Sequence, residues 1–415
     1  MDIMKERGRD MERIERKEYL DWLVRWREQQ IIKVVSGVRR CGKSTLFAIY
    51  RDWLLSQGVD ERQIIAINFE DIDYEHLTGY RALYDYIKGL LLPDRMNYIF
   101  LDEIQHVEQF EKAVDSLFIK DNCDVYITGS NAYFMSGELA TLLSGRYVEL
   151  KMLPLSFREF CSGLRSGAAQ TNAQKFDAYL RMSSFPYALR LPGTGREVQE
   201  YLTDLYNTVL LKDVVARARI ADVTSLEAVT KFLLHNIGSR VSATKIANTL
   251  KSAGKGVDQK TVDKYMRSLT DSLLIYEAAR YNIKGKQYLS TQSKYYAVDV
   301  ALRNTLVKGA ASDIGHILEN IVYLELLRRG ERVFVGELED GEVDFVTVGP
   351  EGTVYYQVAA TTLDEEVLKR ELAPLQRISD NYPKLLLTLD EVFATADYDG
   401  IQKRNVLDWL LEDPG

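Results

Sequence analysis

Residues Ile31 to Thr45 read IIKVVSGVRRCGKST, and this stretch decides the architecture. Its apolar, β-branched start has the composition of a parallel strand buried on both faces. The strand runs into Gly37-x4-Gly42-Lys43-Ser44 and then into a helical segment, the arrangement of a phosphate-binding loop. The glycines permit the tight turn. Backbone N–H groups along Val38, Arg39, Arg40, Cys41, Gly42, Lys43, Ser44 and Thr45 would then surround phosphates at a helix N-terminus. Lys43 would reach the β and γ phosphates, and Ser44 would offer its hydroxyl to Mg2+. A glycine-bearing surface loop is the bland alternative, and the side chains of Arg39 and Arg40 take no assigned role.

A nucleotide site needs an acid at the end of a second strand, and Asn97 to Val107 supplies one in NYIFLDEIQHV. Asp102 would hold the magnesium, and Glu103 would orient and deprotonate the attacking water. A further apolar strand, DVYITGSN, ends in Ser130 and Asn131, suited to sensing the γ phosphate or, more blandly, to capping the next helix. Arg146 stands on a glycine turn before the strand Tyr147 to Met152. It would serve a neighbouring subunit as an arginine finger, unless it is a solvated turn residue.

Strands near Ile31, Ile64, Tyr98, Asp124 and Tyr147 alternate with helical segments, as a doubly wound parallel α/β sheet requires. From 156 to about 225 the pattern turns wholly helical and reads as a lid on the sheet. With 415 residues, 46% of them apolar, the chain has the length for two to four domains. Cys41, Cys123 and Cys161 are too few and too scattered for a disulfide framework or a zinc site, which fits a reducing cytoplasm. The charged N-terminus and the lack of a long apolar run give no expectation of a leader or a membrane anchor.

Net charge is −8, but it is uneven. Lys231 to Tyr296 holds twelve Lys and Arg against four Asp and Glu, a local +8 that leaves −16 for the rest. Within it, Ser242-ATKIANTL and Asp258-QKTVDKYMRSLTDSLL have apolar residues at helical spacing and read as a helix-turn-helix, followed by a hairpin around Lys284-Gly285-Lys286 as a wing. Gln259, Lys260, Lys264 and Arg267 would face the major groove of DNA, with Lys284 and Lys286 on phosphates. Winged helices also serve as structural or protein-binding modules.

Gly341 to Ala359 reads GEVDFVTVGPEGTVYYQVA, two strands around a tight turn. Metal-dependent nucleases of the restriction-endonuclease type place an Asp on the first such strand and an acid-x-Lys triplet on the second. Here Asp344 is present, while the triplet is Gln357-Val358-Ala359. The preceding amphipathic helix carries Glu319. A neutral Gln357 weakens divalent binding, and Ala359 cannot position water, so the expectation is a vestigial, inactive nuclease scaffold. Lys369 on the next helix is a possible substitute for the missing lysine.

The P-loop GVRRCGKS, the strand IFLDEIQ, the sensor ITGSN, the turn LSGR followed by PLSFREF, and LLKDVV at Leu210 to Val215 together resemble the AAA-superfamily ATPases of bacteria and archaea that carry a C-terminal domain of undefined role. The resemblance runs over nearly the whole chain. It implies an AAA+ ATPase core at 1–155, a helical lid at 156–225, a winged helix at 226–305 and a restriction-endonuclease-like tail at 306–415. It also implies ATP and Mg2+ as cofactors and a homo-oligomer, hexameric rings being one form. SSFPYAL at Ser183 to Leu189 departs from the pattern, since relatives commonly have glycine before Phe-Pro. Two function classes stay open: a DNA-acting ATPase, motor or remodeller, and an ATP-dependent switch read by protein partners. A metal-dependent nuclease comes third.

Overall fold

A computed structural model of the full chain describes residues 13–129, 143, 145–164, 170–191, 195–307, 309, 313–349 and 352–413. They fall into two compact units, divided between Pro154 and Leu155.

The first unit contains α1 (Lys17–Arg25), β1 (Ile32–Gly37), α2 (Lys43–Ser56), β2 (Ile64–Asn68), α3 (Tyr80–Leu90), β3 (Asn97–Asp102), α4 (Phe110–Phe118), β4 (Cys123–Thr128) and β5 (Tyr147–Met152). The strands form one all-parallel sheet in the order β2-β3-β4-β1-β5. Every expected strand is present. Parallel strands need helical crossovers, so both faces of the sheet are covered and β1 and β3 are buried along their whole length. Ile32, Val34, Ile65, Ile67, Ile99, Leu101, Val125 and Ile127 face α3 and α4, meeting Leu83, Ile87, Val114 and Leu117. On the other face Phe47 and Tyr50 of α2 pack edge-on against Phe100, which stacks on Tyr126.

Lys33 interrupts the apolar run of β1 and is fully buried. Its ammonium pairs with Asp124 of β4 and donates to the Gln29 carbonyl at 2.6 Å. Asp124 also accepts from the Glu28 N–H at 2.8 Å and the Tyr126 hydroxyl at 2.7 Å. A buried ion pair depends on further hydrogen bonds to its remaining groups, and both Asp124 oxygens and two of the three Lys33 donors have partners here.

The second unit begins with α5 (Phe157–Gly163), α6 (Asn172–Met182) and α7 (Gly195–Thr208), the last running on through a wider π-helical segment at Val209–Ala216. Ser183 takes φ 85°, a conformation that favours glycine, and is fully buried. The adjacent Ser184 gives both its N–H and its hydroxyl to Asp299, at 2.7 and 2.6 Å. Next come α8 (Val223–His235), α9 (Ala243–Ser252) and α10 (Gln259–Asp271). Ser242 and Asp258 cap the last two, each accepting an N–H three residues on.

After α10 come β6 (Ile275–Asn282), β7 (Gln287–Ala297), α11 (Val300–Leu306), α12 (Ile314–Arg328), β8 (Val333–Leu338), β9 (Gly341–Gly349), β10 (Gly352–Ala359), α13 (Glu365–Gln376), β11 (Lys384–Thr388), β12 (Ala396–Tyr398), β13 (Ile401–Asn405) and α14 (Val406–Leu411). All eight strands make a single mixed sheet, β12-β13-β11-β10-β9-β8-β6-β7. This corrects two expectations. The β6–β7 hairpin is not a free-standing wing, because β6 pairs in parallel with β8 over Arg280 to Asn282. For the same reason no structural boundary lies at 305/306: the hairpin and the tail share one sheet.

Candidate nucleotide site and an acidic cluster in the second unit

Parallel register brings the chemistry of the first unit to one edge of its sheet. Val35 lies beside Thr128, Gly37 beside Met152, and Asn68 beside Asp102. The P-loop, Asp102, Glu103 and Thr128 therefore share the carboxyl end of the strands, where open α/β sheets bind ligands. Gly37 is a steric necessity, since a Cβ would run into the Met152 carbonyl oxygen and stand 2.9 Å from Cys41 Sγ. Gly42, at φ 107°, turns the chain into α2 in a conformation that glycine adopts freely.

Lys43 is buried, and its Nζ donates to the carbonyls of Gly37 at 3.2 Å and Val38 at 3.4 Å, with Glu103 Oε1 at 3.8 Å. The ammonium thus closes the loop on itself and neighbours the acid expected to activate water. Ser44 and Thr45 are exposed at the start of α2. Burial raises the pKa of Asp102, against hydrogen bonds from Ser44 and Thr128 that lower it. One carboxylate beside one hydroxyl fits Mg2+, which usually takes one or two protein carboxylates together with substrate phosphates. A cleft of about 300 Å³ opens here, lined by Ser44, Asn68, Asp71, Tyr74 and Asp102 among others.

Two residues of this site escaped the sequence reading. Thr128 is fully buried; its hydroxyl donates to Asp102 Oδ1 and accepts the Glu103 N–H at 2.9 Å. The signal lay in the same DVYITGSN strand, two residues before Ser130. Glu103 itself sits at φ 56°, left-handed for a non-glycine residue, and receives a hydrogen bond from Gln105 Nε2. Arg16, buried ahead of α1, donates to the P-loop carbonyl of Cys41 at 3.1 Å and to Leu153 O at 2.8 Å. Ser130 and Asn131 lie outside the described residues.

Arg146 is half exposed, with Asp115 Oδ1 at 3.9 Å. It precedes Tyr147, which pairs with Ile32, whereas the P-loop begins where Gly37 pairs with Met152. At about 3.3 Å per residue it stands roughly 20 Å from that loop, too far to serve its own nucleotide. Arg39 approaches Glu70 at 3.4 Å, and Arg40 is exposed at φ 69°.

In the second unit Gln259, Lys260, Lys264 and Arg267 share the exposed face of α10, while Val262, Tyr265, Met266 and Leu269 are buried. Lys286 is exposed. Lys284 pairs with Glu339 of the tail at 2.8 Å.

The nuclease-like residues do come together, but not as the triplet suggests. Asp344 Oδ2 accepts the Val358 N–H at 2.9 Å, and Gln357 joins Glu371 through Nε2 at 2.9 Å. Lys369 is no substitute lysine: it is exposed and paired with Glu365 at 2.6 Å. The ammonium at the cluster belongs to Lys294 of β7, buried among Glu319, Glu342 and Asp344. Burial lowers its pKa, but the three carboxylates outweigh that and raise it. Burial, then the charge of Glu319, raises the pKa of Asp344, against the Lys294 ammonium that lowers it. Among the described residues no group of three or more His, Cys, Asp and Glu is arranged to hold a metal ion.

An uncharacterized protein of Haemophilus influenzae is 38% identical over 401 residues, 96% of this chain and 99% of that one. The chain belongs to the family of that protein. An uncharacterized protein of Methanocaldococcus jannaschii is 28% identical over 87% of the chain and 82% of its own length. A family model described as an AAA domain matches residues 29–161, and a domain of unknown function matches 173–313. The P-loop, Asp102 and Glu103 all fall in the first match, so the chain carries an AAA-type P-loop ATPase domain. Among solved structures, a Walker-type ATPase of Pyrococcus abyssi aligns with 71% of this chain and 96% of its own at 14% identity and TM-score 0.49. No helix among the described residues is long and apolar enough to cross a membrane.

Proposed function

We propose that the protein is an AAA+ ATPase that hydrolyses ATP with Mg2+ and uses the cycle to move or remodel DNA, working as a homo-oligomer. The observation that carries the ATPase reading is the convergence of Lys43, Ser44, Asp102, Glu103 and Thr128 at one sheet edge. Lys43 would leave the Gly37 and Val38 carbonyls for the phosphates. Ser44 and Asp102 would hold the magnesium, which neutralises charge on the phosphates when bound. Glu103, freed from Lys43, would accept the proton of the attacking water. DNA enters through the +8 stretch and the exposed Gln259, Lys260, Lys264 and Arg267. The nuclease-like tail serves as a scaffold without cleavage activity.

A regulatory switch read by a protein partner is the second reading. It is favoured by the hairpin, which the sheet and the Lys284–Glu339 pair hold away from the role of a mobile wing. One experiment separates the two: ATP turnover with and without duplex or branched DNA, in the wild type, Glu103→Gln and Lys260→Ala/Lys264→Ala. The DNA-acting reading expects stimulation that falls in the double variant, whose log-log salt slope for DNA binding drops by about 0.9 per lost phosphate contact. Slow turnover indifferent to DNA leaves the switch.

A further inference from the structure

The nuclease-like arrangement implies a divalent cation among its carboxylates, and the residues present do not fit one. Lys294 Nζ stands 2.6 Å from Glu342 Oε1, 3.3 Å from Glu319 Oε2 and 3.7 Å from Asp344 Oδ1. An ammonium has three donors, and three carboxylates face this one. Two of the remaining oxygens are also engaged. Arg240 Nε holds Glu342 Oε2 at 2.6 Å, and Asp344 Oδ2 takes the Val358 N–H at 2.9 Å. Gln357 turns its carbonyl oxygen to the Asp344 N–H, at 3.4 Å, so it offers none to a metal. The backbone closes over the group as well: Gly238 has φ +70°, and a Cβ there would lie 3.0 Å from Glu319 Oε2.

We infer that Lys294 is a built-in cation, its ammonium standing where a divalent ion would sit among Glu319, Glu342 and Asp344. The cluster is thereby a closed ionic cross-link between β7, α12 and β9. The lysine comes from the hairpin that precedes the tail, so the same contact that fills the acidic site welds that hairpin to the sheet. The inference rests on the nuclease-like reading of the second unit and goes beyond it, since loss of the triplet lysine alone would leave the carboxylates free to bind metal.

The test is Mn2+ titration of the full-length protein, following the free-ion paramagnetic resonance signal, with thermal melting in parallel. All proteins carry Asp102→Asn and no nucleotide, so the P-loop cannot report. The parent should show no uptake sensitive to Asp344→Asn and no change in Tm with Mn2+. Lys294→Gln should melt lower without the ion, gain one site at least about tenfold tighter than any uptake by the parent, lose it again with Asp344→Asn, and recover its Tm in Mn2+. Should Lys294→Gln fail to fold alone, Mn2+ must refold it, and Lys294→Gln/Glu319→Gln/Asp344→Asn must fold without metal. Parent uptake that vanishes in Asp344→Asn overturns the inference. So does a Lys294→Gln protein that gains no uptake, or one that Mn2+ cannot refold. DNA cleavage is scored separately: Asp344-dependent cutting by the parent sinks the inactive-scaffold reading, whereas Mn2+ uptake by Lys294→Gln without cutting upholds both.

Discussion

Thr128→Val removes one hydroxyl from the centre of the nucleotide site and keeps the side-chain shape. Two bonds disappear, the one to Asp102 and the 2.9 Å acceptance of the Glu103 N–H. Thr128, Asp102 and Glu103 are all buried, so water cannot readily replace them. Leaving a buried donor unmet costs about 1–3 kcal/mol, and a bond to a charged carboxylate is worth a similar amount, so the variant should lose about 2–6 kcal/mol of stability. Urea denaturation followed by tryptophan fluorescence reads this selectively, because Trp22, Trp26 and Trp53 lie in the first unit and only Trp409 in the second. Thr128 also pins the left-handed backbone at Glu103, where the side chain must be aimed. Turnover should therefore fall about 10- to 100-fold while the KM for ATP stays within about threefold, the signature of an interaction made in the transition state. Thr128→Ser restores the hydroxyl and should recover most of kcat despite losing a methyl. A folded Thr128→Val protein with wild-type turnover, or a serine variant as slow as the valine one, would refute the positioning role.

Arg16→Ala removes two bonds that tie the P-loop to the end of β5, so ATP affinity should drop about tenfold with a smaller change in kcat, measured by nucleotide titration and steady-state kinetics. Lys33→Met leaves the buried Asp124 charge without its partner and should cost about 3–5 kcal/mol in urea denaturation, part of it regained by Lys33→Met/Asp124→Asn. Burial pushes the Asp390 carboxyl up, but Lys403 at 2.8 Å and the Thr361 and Thr362 donors outweigh it and hold it at about 2. Its stabilisation is present above the ordinary carboxylate value and lost as pH falls through about 2, so the stability gap between wild type and Asp390→Asn should shrink between about pH 4 and pH 2; a gap independent of pH counts against the pair. If Arg146 is a finger for the neighbouring nucleotide, Arg146→Ala and Glu103→Gln subunits, each inactive alone, should recover ATP turnover when mixed; mixed oligomers that stay inactive exclude it.

The sheet of the first unit was legible because the signals that specify a parallel α/β layer are local. A buried strand must be apolar along its length, and a phosphate loop must carry glycines at fixed offsets, so β1, the P-loop and Asp102 could be read residue by residue. Thr128 was missed for a reason internal to that logic. Polar residues just past a strand end stand out in the sequence, whereas parallel register sets the last strand residue itself beside the P-loop strand. Lys33 shows the converse, a charge inside an apolar run whose partner, Asp124, lies 91 residues away on the adjoining strand.

The second unit resists a reading by spacing because its acidic cluster is assembled from separate elements. Motif offsets test whether an ammonium follows an acid two residues later on one strand, and at Ala359 the answer is no. Charge neutrality in a buried site makes a different demand: some cation must lie within a few ångströms of Glu319, Glu342 and Asp344, from any element that passes. The chain meets it with Lys294, 50 residues before Asp344, and can do so only because β6 pairs with β8 and carries β7 to the edge of the same sheet. An acid-rich strand whose expected lysine is absent therefore marks a site whose counter-charge has to be sought among its neighbours in space. In this fold that neighbour is the β6–β7 hairpin, which motif offsets alone do not connect with the acidic strand.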